Sequence, residues 1–252
     1  MQFLAFDLAQ AESWIVAHLA NEQLMMHALA NDDIHCITGS ALFNIPREQF
    51  NKDTHPKERY VGKKCNHAFA YREGPEVFCA DFNKQSLDLG MSLTIREAKK
   101  YHAKWHELYN LKGWWSSIED ELSKSRQLTT PYGRKRTFHS AWGKLLFNEA
   151  TAHVPQSTVA DHVLGAIQEG INERGGLLAI MDWCLHNSCT LVHTAYDSAM
   201  IEIPINRESE IAPVIYKMLY RPLMINGIVF SIPVDCEVGD RWGETIKYKI
   251  AS

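Results

Sequence analysis

Four side chains recur at intervals of four residues along one predicted helix. They are Arg59, Lys63, His67 and Tyr71, and side chains spaced in this way lie along one side of a helix. Two cations fixed one turn apart suit a triphosphate, and the ring-bearing side chains beyond them suit a stacked base. The spacing alone is equally compatible with an ordinary solvated basic face. The Gly62-Lys63 pair is not a P-loop, because the first glycine and the following Ser or Thr of that motif are both missing.

Two aspartates stand where an apolar stretch meets a turn. Asp7 ends the alternating segment that begins at Gln2, and Asp197 lies at the Tyr196-Asp197 junction between two β-rich runs. Carboxylates held by rigid strands can share a pair of Mg²⁺ ions, which stabilise the attacking and leaving oxygens of a phosphoryl transfer. The residues alone do not show that the two acids meet, and most acids in such a chain are surface charges.

The composition is that of a folded globular chain. Its 252 residues include 26 Lys and Arg, 30 Asp and Glu, and 46% hydrophobic residues, which excludes a disordered, collagen-like or low-complexity chain. No apolar run is long enough to span a membrane. The first ten residues lack the basic start of a signal peptide, so a cytoplasmic location is predicted, in the host cytoplasm if the protein is viral. The net charge of −4 argues against indiscriminate DNA coating but permits a local basic stripe.

Strand patterns lie at the two ends of the chain and helical patterns lie between them. Thr94 and Glu97 form a capping box at the start of one helix. Apolar periodicity predicts helices over residues 11–30 with a polar break, 34–43, 54–71, 94–109, 114–125, 154–172 and 211–219, and strands over residues 2–7, 190–195, 198–203, 228–232, 234–238 and 245–250.

Two further groups of residues are weak candidates for metal sites. His102 and His106 are one turn apart and can bind zinc, but no HExxH arrangement or third ligand accompanies them. A packed or surface helix is the favoured interpretation. Cys184 and Cys189 belong to a set of six cysteines without a CxxC pair, so buried thiols are predicted rather than ligands or a disulfide framework.

Three segments, in chain order, resemble the motifs of the family A (polymerase-I-like) DNA polymerases. The segment 6–19, followed by Asp33-Ile34-His35, looks like motif A, D-Y-S-Q-I-E-L-R-x-x-A-H-L followed by D-I-H. The helix of Arg59 matches motif B, R-x-x-x-K-x-x-x-F-x-x-x-Y, at every spacing. The segment 196–204 is similar to motif C, H-D-E-L-x-x-E-x-P, with the same interval from Asp to Pro. Lesser signatures follow the family's order at residues 133–136 (G-R-R-R), 156–161 (Q-G-S-A-A-D) and 238–242 (G-x-x-W), so the resemblance covers essentially the whole chain.

The resemblance implies an α+β right-hand polymerase core. An antiparallel palm sheet would be built from residues 1–20 and 129–252, and a helical fingers insert from residues 21–128, with the thumb absent. In the family, an exonuclease-like domain, a thumb and the first part of the palm precede motif A. The resemblance therefore implies either a phage-like split polymerase, whose thumb or exonuclease lies on a second polypeptide, or a shortened form. Weak DNA affinity and low processivity are expected of the chain alone.

The implied reaction is template-directed addition of dNTPs to a primer 3′-OH. By resemblance, Asp7 and Asp197 would ligate two Mg²⁺ ions, with a further oxygen from the backbone near Leu8. Arg59 and Lys63 would hold the incoming triphosphate, and Lys63 would also neutralise or protonate the pyrophosphate leaving group.

The remaining implied roles concern the nucleotide and the duplex. His35 would hold the incoming triphosphate together with Arg59 and Lys63, and His67 and Tyr71 would flank the nascent base pair. Glu12 corresponds to the acid that excludes a ribose 2′-OH, which favours DNA over RNA synthesis and disfavours a single-subunit RNA polymerase. Primer-template DNA would be contacted by Arg134, Arg136 and Gln156.

Five residues depart from the family pattern, among them Leu8, where a Tyr is usual, and Arg72, where a Gly is usual. His67 replaces the usual Phe or Tyr, Tyr196 replaces the His of motif C, and Ser198 replaces the acid that follows the motif C aspartate. The primary ligand survives but the second carboxylate does not. These departures leave open a second function, a non-catalytic DNA-binding subunit of a replication complex that keeps the fold. His193 is predicted to be a strand residue packed nearby, not the motif C histidine.

Overall fold

The protein contains ten α-helices and nine β-strands within the residues that the structure describes. The structure is a computed structural model that describes residues 1–171 and 173–250. The elements are β1 Gln2–Leu8, α1 Ala11–Leu19, α2 Gln23–Asn31, α3 Ile34–Phe43, α4 Pro56–Ala70, α5 Pro75–Gln85, α6 Ile95–Leu108, α7 Lys112–Ser125, β2 Gln127–Thr129, β3 Lys135–Thr137, α8 Lys144–Leu164, α9 Gly176–His186, β4 Thr190–Ala195, β5 Ser198–Ile203, α10 Glu208–Leu219, β6 Pro222–Ile225, β7 Ile228–Ser231, β8 Val234–Gly239 and β9 Ile246–Lys247.

Two compact units make up the chain. One, the sheet unit, comprises Met1–Ile15, Thr129–Lys135 and Val154–Ser252, and the other, the helical unit, comprises Val16–Leu128 and Arg136–His153. The segment 136–153 therefore groups with the helical unit, although the sequence places it with the palm. The assignment of palm and fingers to these ranges stays a prediction.

The sheet unit is built on a five-stranded antiparallel sheet of order β4-β5-β1-β8-β9. Alternation along β1 buries Leu4, Phe6 and Leu8 on one face and leaves Asp7 exposed on the other, as expected for a half-buried strand. Helices α9 and α10 pack against the strands of this unit. The predicted α+β class with an antiparallel sheet from both chain ends is confirmed.

The helical unit is organised around the packing of α3 on α4. Gly39 and Gly62 allow the two backbones to approach closely. A Cβ added at Gly62 would lie 2.5 Å from the carbonyl oxygen of His35 on α3, and one added at Gly39 would lie 3.0 Å from the carbonyl oxygen of Glu58 on α4. The close approach fixes the position of α4 relative to α3. It thereby sets where the exposed side of α4 lies in the helical unit.

The predicted boundaries of one helix are wrong, and another helix was not predicted. The helix predicted over 154–172 begins at Lys144 and contains Pro155 in its interior, and it ends at Leu164 before Gly165, whose φ is 101°. The end predicted at Asn172 lies outside the described residues. Helix α5 is absent from the predicted helices and begins at Pro75, since proline is well tolerated in the first turn.

Other expectations hold. The predicted helix over 11–30 is divided at its polar break into α1 and α2, and the capping box of Thr94 and Glu97 forms in both directions. The rings of His102 and His106 lie 4.3 Å apart at their centroids, on a helix whose Ala98, Tyr101 and Trp105 are buried, so the predicted packed helix is confirmed. Cys184 and Cys189 are buried free thiols. Along the described residues no helix is long and apolar enough to cross a bilayer.

Candidate active site

The two aspartates singled out by the sequence meet at one end of the five-stranded sheet. Asp7 on β1 is paired in register with Ser198 on β5, and the backbone N–H of Leu8 donates to the carbonyl oxygen of Asp197 at 3.1 Å. Neighbouring strands lie about 4.8 Å apart, so the backbones that carry the two acids are close enough to serve one pair of ions spaced about 4 Å. A segment at the start of the chain and one near its end thus form a single acidic site.

Asp197 is presented by a tight reversal of the chain. Ala195 pairs with Ser198, which leaves Tyr196 and Asp197 as a two-residue hairpin turn. Tyr196 has φ 57°, a conformation that glycine usually supplies at the first central position of such a turn. The Tyr196 hydroxyl donates to Oε1 of Glu12 at 2.7 Å. Burial and this hydrogen bond raise the pKa of Tyr196 well above its ordinary value, so the phenol remains a donor.

An open cavity of about 430 Å³ lies on the polar face of the sheet. Asp7, Ser198, Asp235 and Glu237 line it together with Trp242, and Asp235 is directly opposite Asp7 in the pairing of β1 with β8. The cavity therefore holds carboxylates from two neighbouring strands beside the serine that replaces the motif C acid.

His193 is exposed at the same cavity. It lies on β4, lines the cavity, and its ring centroid is 4.6 Å from that of Trp242. His193 is thus a strand residue near the site, as predicted, but its side chain is exposed and not buried in the core.

The acids present fit a magnesium site that substrate completes. Carboxylate oxygens are ligands that Mg²⁺ prefers, and Mg²⁺ is usually held by one or two carboxylates together with substrate phosphates and water, not by a full protein cage. Asp7 and Asp197 provide that number. Across residues 1–171 and 173–250, no three His, Cys, Asp or Glu side chains are grouped to hold a metal by themselves. The role predicted for the backbone at Leu8 stays a prediction; its side chain is buried and its N–H is bonded to Asp197.

The four-residue repeat lies along one side of α4, as the spacing predicts. Lys63 and His67 are exposed, Arg59 is half-buried, and Tyr71 stands at the C-cap, where the helix ends. The opposite side of the helix is buried in the helical unit. It carries Val61, Gly62, Cys65, Asn66, Phe69 and Ala70.

Arg59 is held by an acid at the start of α3. Its Nε donates to Oδ2 of Asp33 at 2.8 Å, while the other oxygen of Asp33 accepts from the backbone N–H of His35 at 2.9 Å and of Cys36 at 3.2 Å. Burial alone would raise the pKa of Asp33, but the hydrogen bond and charge of Arg59 outweigh it and lower the pKa. One carboxylate thus caps α3 and fixes the guanidinium.

His35 is buried and hydrogen-bonded, which defines its chemistry. Nε1 of Trp105, which can only donate, lies 2.9 Å from Oδ1 of Asn66. The Asn66 amide nitrogen therefore donates to Nδ1 of His35, at 3.0 Å. Burial lowers the pKa of His35 to about 3. The ring is consequently neutral near pH 7 with its proton on Nε2, so it carries one N–H donor and no charge.

The residues predicted to contact DNA are distributed over both units. Arg134, in the sheet unit, donates from Nε to both carboxylate oxygens of buried Asp161 at 3.0 Å. Arg136, in the helical unit, pairs with Glu149, and Gln156 is exposed on α8. Both guanidiniums thus have carboxylate partners within the protein, and their contact with DNA stays a prediction.

Comparison with known proteins agrees with the motif pattern. A sequence model of DNA polymerase family A matches residues 1–244. The chain belongs to this family. The family resemblance seen in the three sequence motifs is thereby confirmed.

Two curated family members are DNA polymerase I of Borreliella burgdorferi, 24% identical over 254 residues, and DNA polymerase I of Pseudomonas aeruginosa, 22% identical over 249 residues. Each alignment covers 96% of this chain and 25% of the relative, so the chain spans about a quarter of these proteins.

The fold of this family A chain is similar to a solved polymerase domain. The POL domain of Pol1 from M. smegmatis, in a complex with DNA primer-template and dNTP, superposes with a TM-score of 0.70 at 16% identity. The superposition covers 96% of this chain and 40% of that domain. The predicted polymerase fold is confirmed.

Three features of this family A site were not predicted. The bond between Tyr196 and Glu12 joins residues 184 positions apart. The side chain of Asn66 is hydrogen-bonded to His35 on α3 and to Trp105 on α6. Asp235 was visible only as a polar position in a predicted strand. An acid on the polar face of a predicted strand can indicate a site residue. That Asp235 lies opposite Asp7 can be seen only once the register of β8 on β1 is known.

Proposed function

We propose that this chain is the catalytic core, palm and fingers, of a DNA-directed DNA polymerase. It adds deoxynucleotides from dNTPs to a primer 3′-OH on a template. The observation that carries the proposal is the pairing of β1 with β5, which brings Asp7 and the turn of Asp197 together at one sheet end. Family membership and the primer-template and dNTP bound by the solved relative support the same substrate class.

The sheet unit would supply the metal-binding acids. Asp7 and Asp197 would hold two Mg²⁺ ions, which when bound lower the pKa of the primer hydroxyl and balance charge on the pyrophosphate. Glu12 would occupy the space beside the sugar, so that a ribose 2′-OH is excluded. Leu8 would contribute a backbone oxygen.

The helical unit would supply the contacts to the nucleotide. Arg59, fixed by Asp33, and Lys63 would bind the triphosphate, and Lys63 would give a proton to the departing pyrophosphate. His35 would donate its Nε2–H to a phosphate oxygen. His67 and Tyr71 would border the nascent base pair, although an imidazole offers a smaller stacking surface than the usual phenyl ring.

Regions outside this chain would complete the grip on primer-template. The chain matches about a quarter of its curated relatives, so we propose that a thumb or an exonuclease comes from elsewhere in the same protein or from a second polypeptide. Arg134, Arg136 and Gln156 would then contribute only part of the DNA contact.

Primer extension tests the proposal. The chain, with dNTPs and Mg²⁺, is expected to extend a primer by one nucleotide complementary to the template, and chelation by EDTA should stop the reaction. Extension should improve when a thumb-bearing polypeptide is added. A chain that binds primer-template but never extends it, with or without such a partner, would favour the non-catalytic subunit, for which Ser198 in place of an acid is the motivating observation.

A further inference from the structure

A side-chain hydrogen bond adds to the backbone bonds that link the two segments carrying the proposed catalytic acids. The hydroxyl of Tyr196 donates to Oε1 of Glu12 at 2.7 Å. Tyr196 immediately precedes Asp197, and Glu12 lies in the first turn of α1, shortly after Asp7 at the end of β1. The bond therefore connects the hairpin turn of one acid to the helix that follows the other.

Both partners of this bond are held by the backbone. Tyr196 sits at φ 57° between two paired strands, so the direction in which its side chain leaves the turn is fixed by the hairpin. Glu12 lies at a helix N-terminus, where the helix dipole favours a carboxylate. A bond from a phenol to a carboxylate is charge-assisted and stronger than a bond between neutral groups.

We propose that Tyr196 is a positioning residue for sugar selection, because its hydroxyl fixes the carboxylate of Glu12 in the orientation that excludes a ribose 2′-OH. The inference rests on the proposed function, in which Glu12 borders the sugar. A glutamate tied at one oxygen cannot rotate aside to admit the extra hydroxyl without breaking the bond. Without the bond from Tyr196 the carboxylate is less restrained, and the ribose 2′-OH is excluded less well.

The test compares incorporation of a dNTP with that of the matching rNTP. Tyr196→Phe keeps the ring and removes the hydroxyl. We expect the ratio of kcat/KM for dNTP over rNTP to fall about tenfold, the order expected for a hydrogen bond to a charged group, chiefly through better use of the rNTP. Tyr220→Phe removes an exposed hydroxyl elsewhere in the sheet unit and should leave the ratio at the wild-type value.

A double variant identifies the route of the effect. If Tyr196 acts through Glu12, adding Tyr196→Phe to Glu12→Ala should not lower the ratio further. A wild-type ratio in Tyr196→Phe, or a further fall in the double variant, would overturn the inference while leaving the polymerase assignment intact.

Nucleotide binding separates this inference from the proposed function. If the wild-type chain extends no primer, the equilibrium dissociation constants of dATP and ATP decide the question. A wild-type preference for dATP that is lost in Tyr196→Phe would support the role of Tyr196. Equal affinities in the wild type, or a preference that survives the substitution, would overturn it.

Discussion

The side-chain amide of Asn66 donates to Nδ1 of His35 at 3.0 Å, while its oxygen accepts from Trp105 at 2.9 Å. Asn66 is thus bonded to side chains of α3 and α6, and it sets which nitrogen of His35 carries the proton. The contact matters for the proposed nucleotide site, because a neutral ring with the proton on Nε2 offers a donor without a charge.

Nitrogen NMR checks this protonation state directly. At pH 7 the ¹⁵N spectrum of His35 should show a neutral ring protonated on Nε2. Asn66→Asp replaces the donor by an acceptor, so the ring should become protonated on Nδ1 and its pKa should rise. Asn83→Asp, in α5, is a matched control that should leave the His35 signals unchanged. A charged His35, or a proton on Nδ1, in the wild type would contradict the assignment.

Stability should decline as the pH falls below about 6.5. Burial lowers the pKa of His35 and of His162 to about 3 each, whereas the same groups in an unfolded chain titrate near 6.5. Between these values the unfolded state binds more protons than the folded state, so acid favours unfolding. The free energy of unfolding, measured by urea titration from pH 7 to pH 4, should fall. His162→Gln should reduce the slope, and a flat profile would argue against buried neutral histidines.

The packing of α3 on α4 should not tolerate a side chain at Gly62. A Cβ there would lie 2.5 Å from the carbonyl oxygen of His35, and overpacking of this kind typically costs about 1–3 kcal/mol. Gly62→Ala is expected to lower the melting temperature. Gly113→Ala, where a Cβ meets nothing within 4 Å, should be neutral or stabilise α7 by up to about 1 kcal/mol. Equal effects of the two substitutions would refute the close approach.

Lys63 and its neighbour Lys64 should behave differently. Lys63 is on the exposed side of α4 with Arg59, whereas Nζ of Lys64 donates to Gln85 at 2.6 Å. Lys63→Ala should raise the dNTP concentration needed for half-maximal incorporation and slow the step, since the phosphates lose a cation. Lys64→Ala should change neither. Single-nucleotide kinetics over a dNTP series measure both, and unchanged kinetics in Lys63→Ala would remove its proposed role.

Local patterns were enough to predict much of the framework. Alternation along residues 2–7 predicted the strand that carries Asp7, and alternation along residues 198–203 predicted the strand that follows Asp197. The spacing of Arg59, Lys63 and His67 predicted the exposed side of α4. These features depend on neighbouring residues only, so they are visible in the sequence. The meeting of Asp7 with Asp197 could not be derived from spacing and came from the family resemblance.

What could not be predicted depends on contacts between distant segments. Asp235 faces Asp7 only because β8 pairs with β1 in one register. Asn66 can donate to His35 only because α3, α4 and α6 pack together.

The most direct test of the account is single-turnover primer extension by Asp7→Asn and Asp197→Asn with Mg²⁺. Each substitution removes one carboxylate charge at the shared site, and a loss of several kcal/mol of transition-state stabilisation corresponds to at least about a thousandfold slower extension. Asp182→Asn, an exposed acid on α9, serves as the control and should extend at the wild-type rate, with all three variants folded by circular dichroism. Extension at the wild-type rate by either Asp7→Asn or Asp197→Asn would contradict the shared metal site.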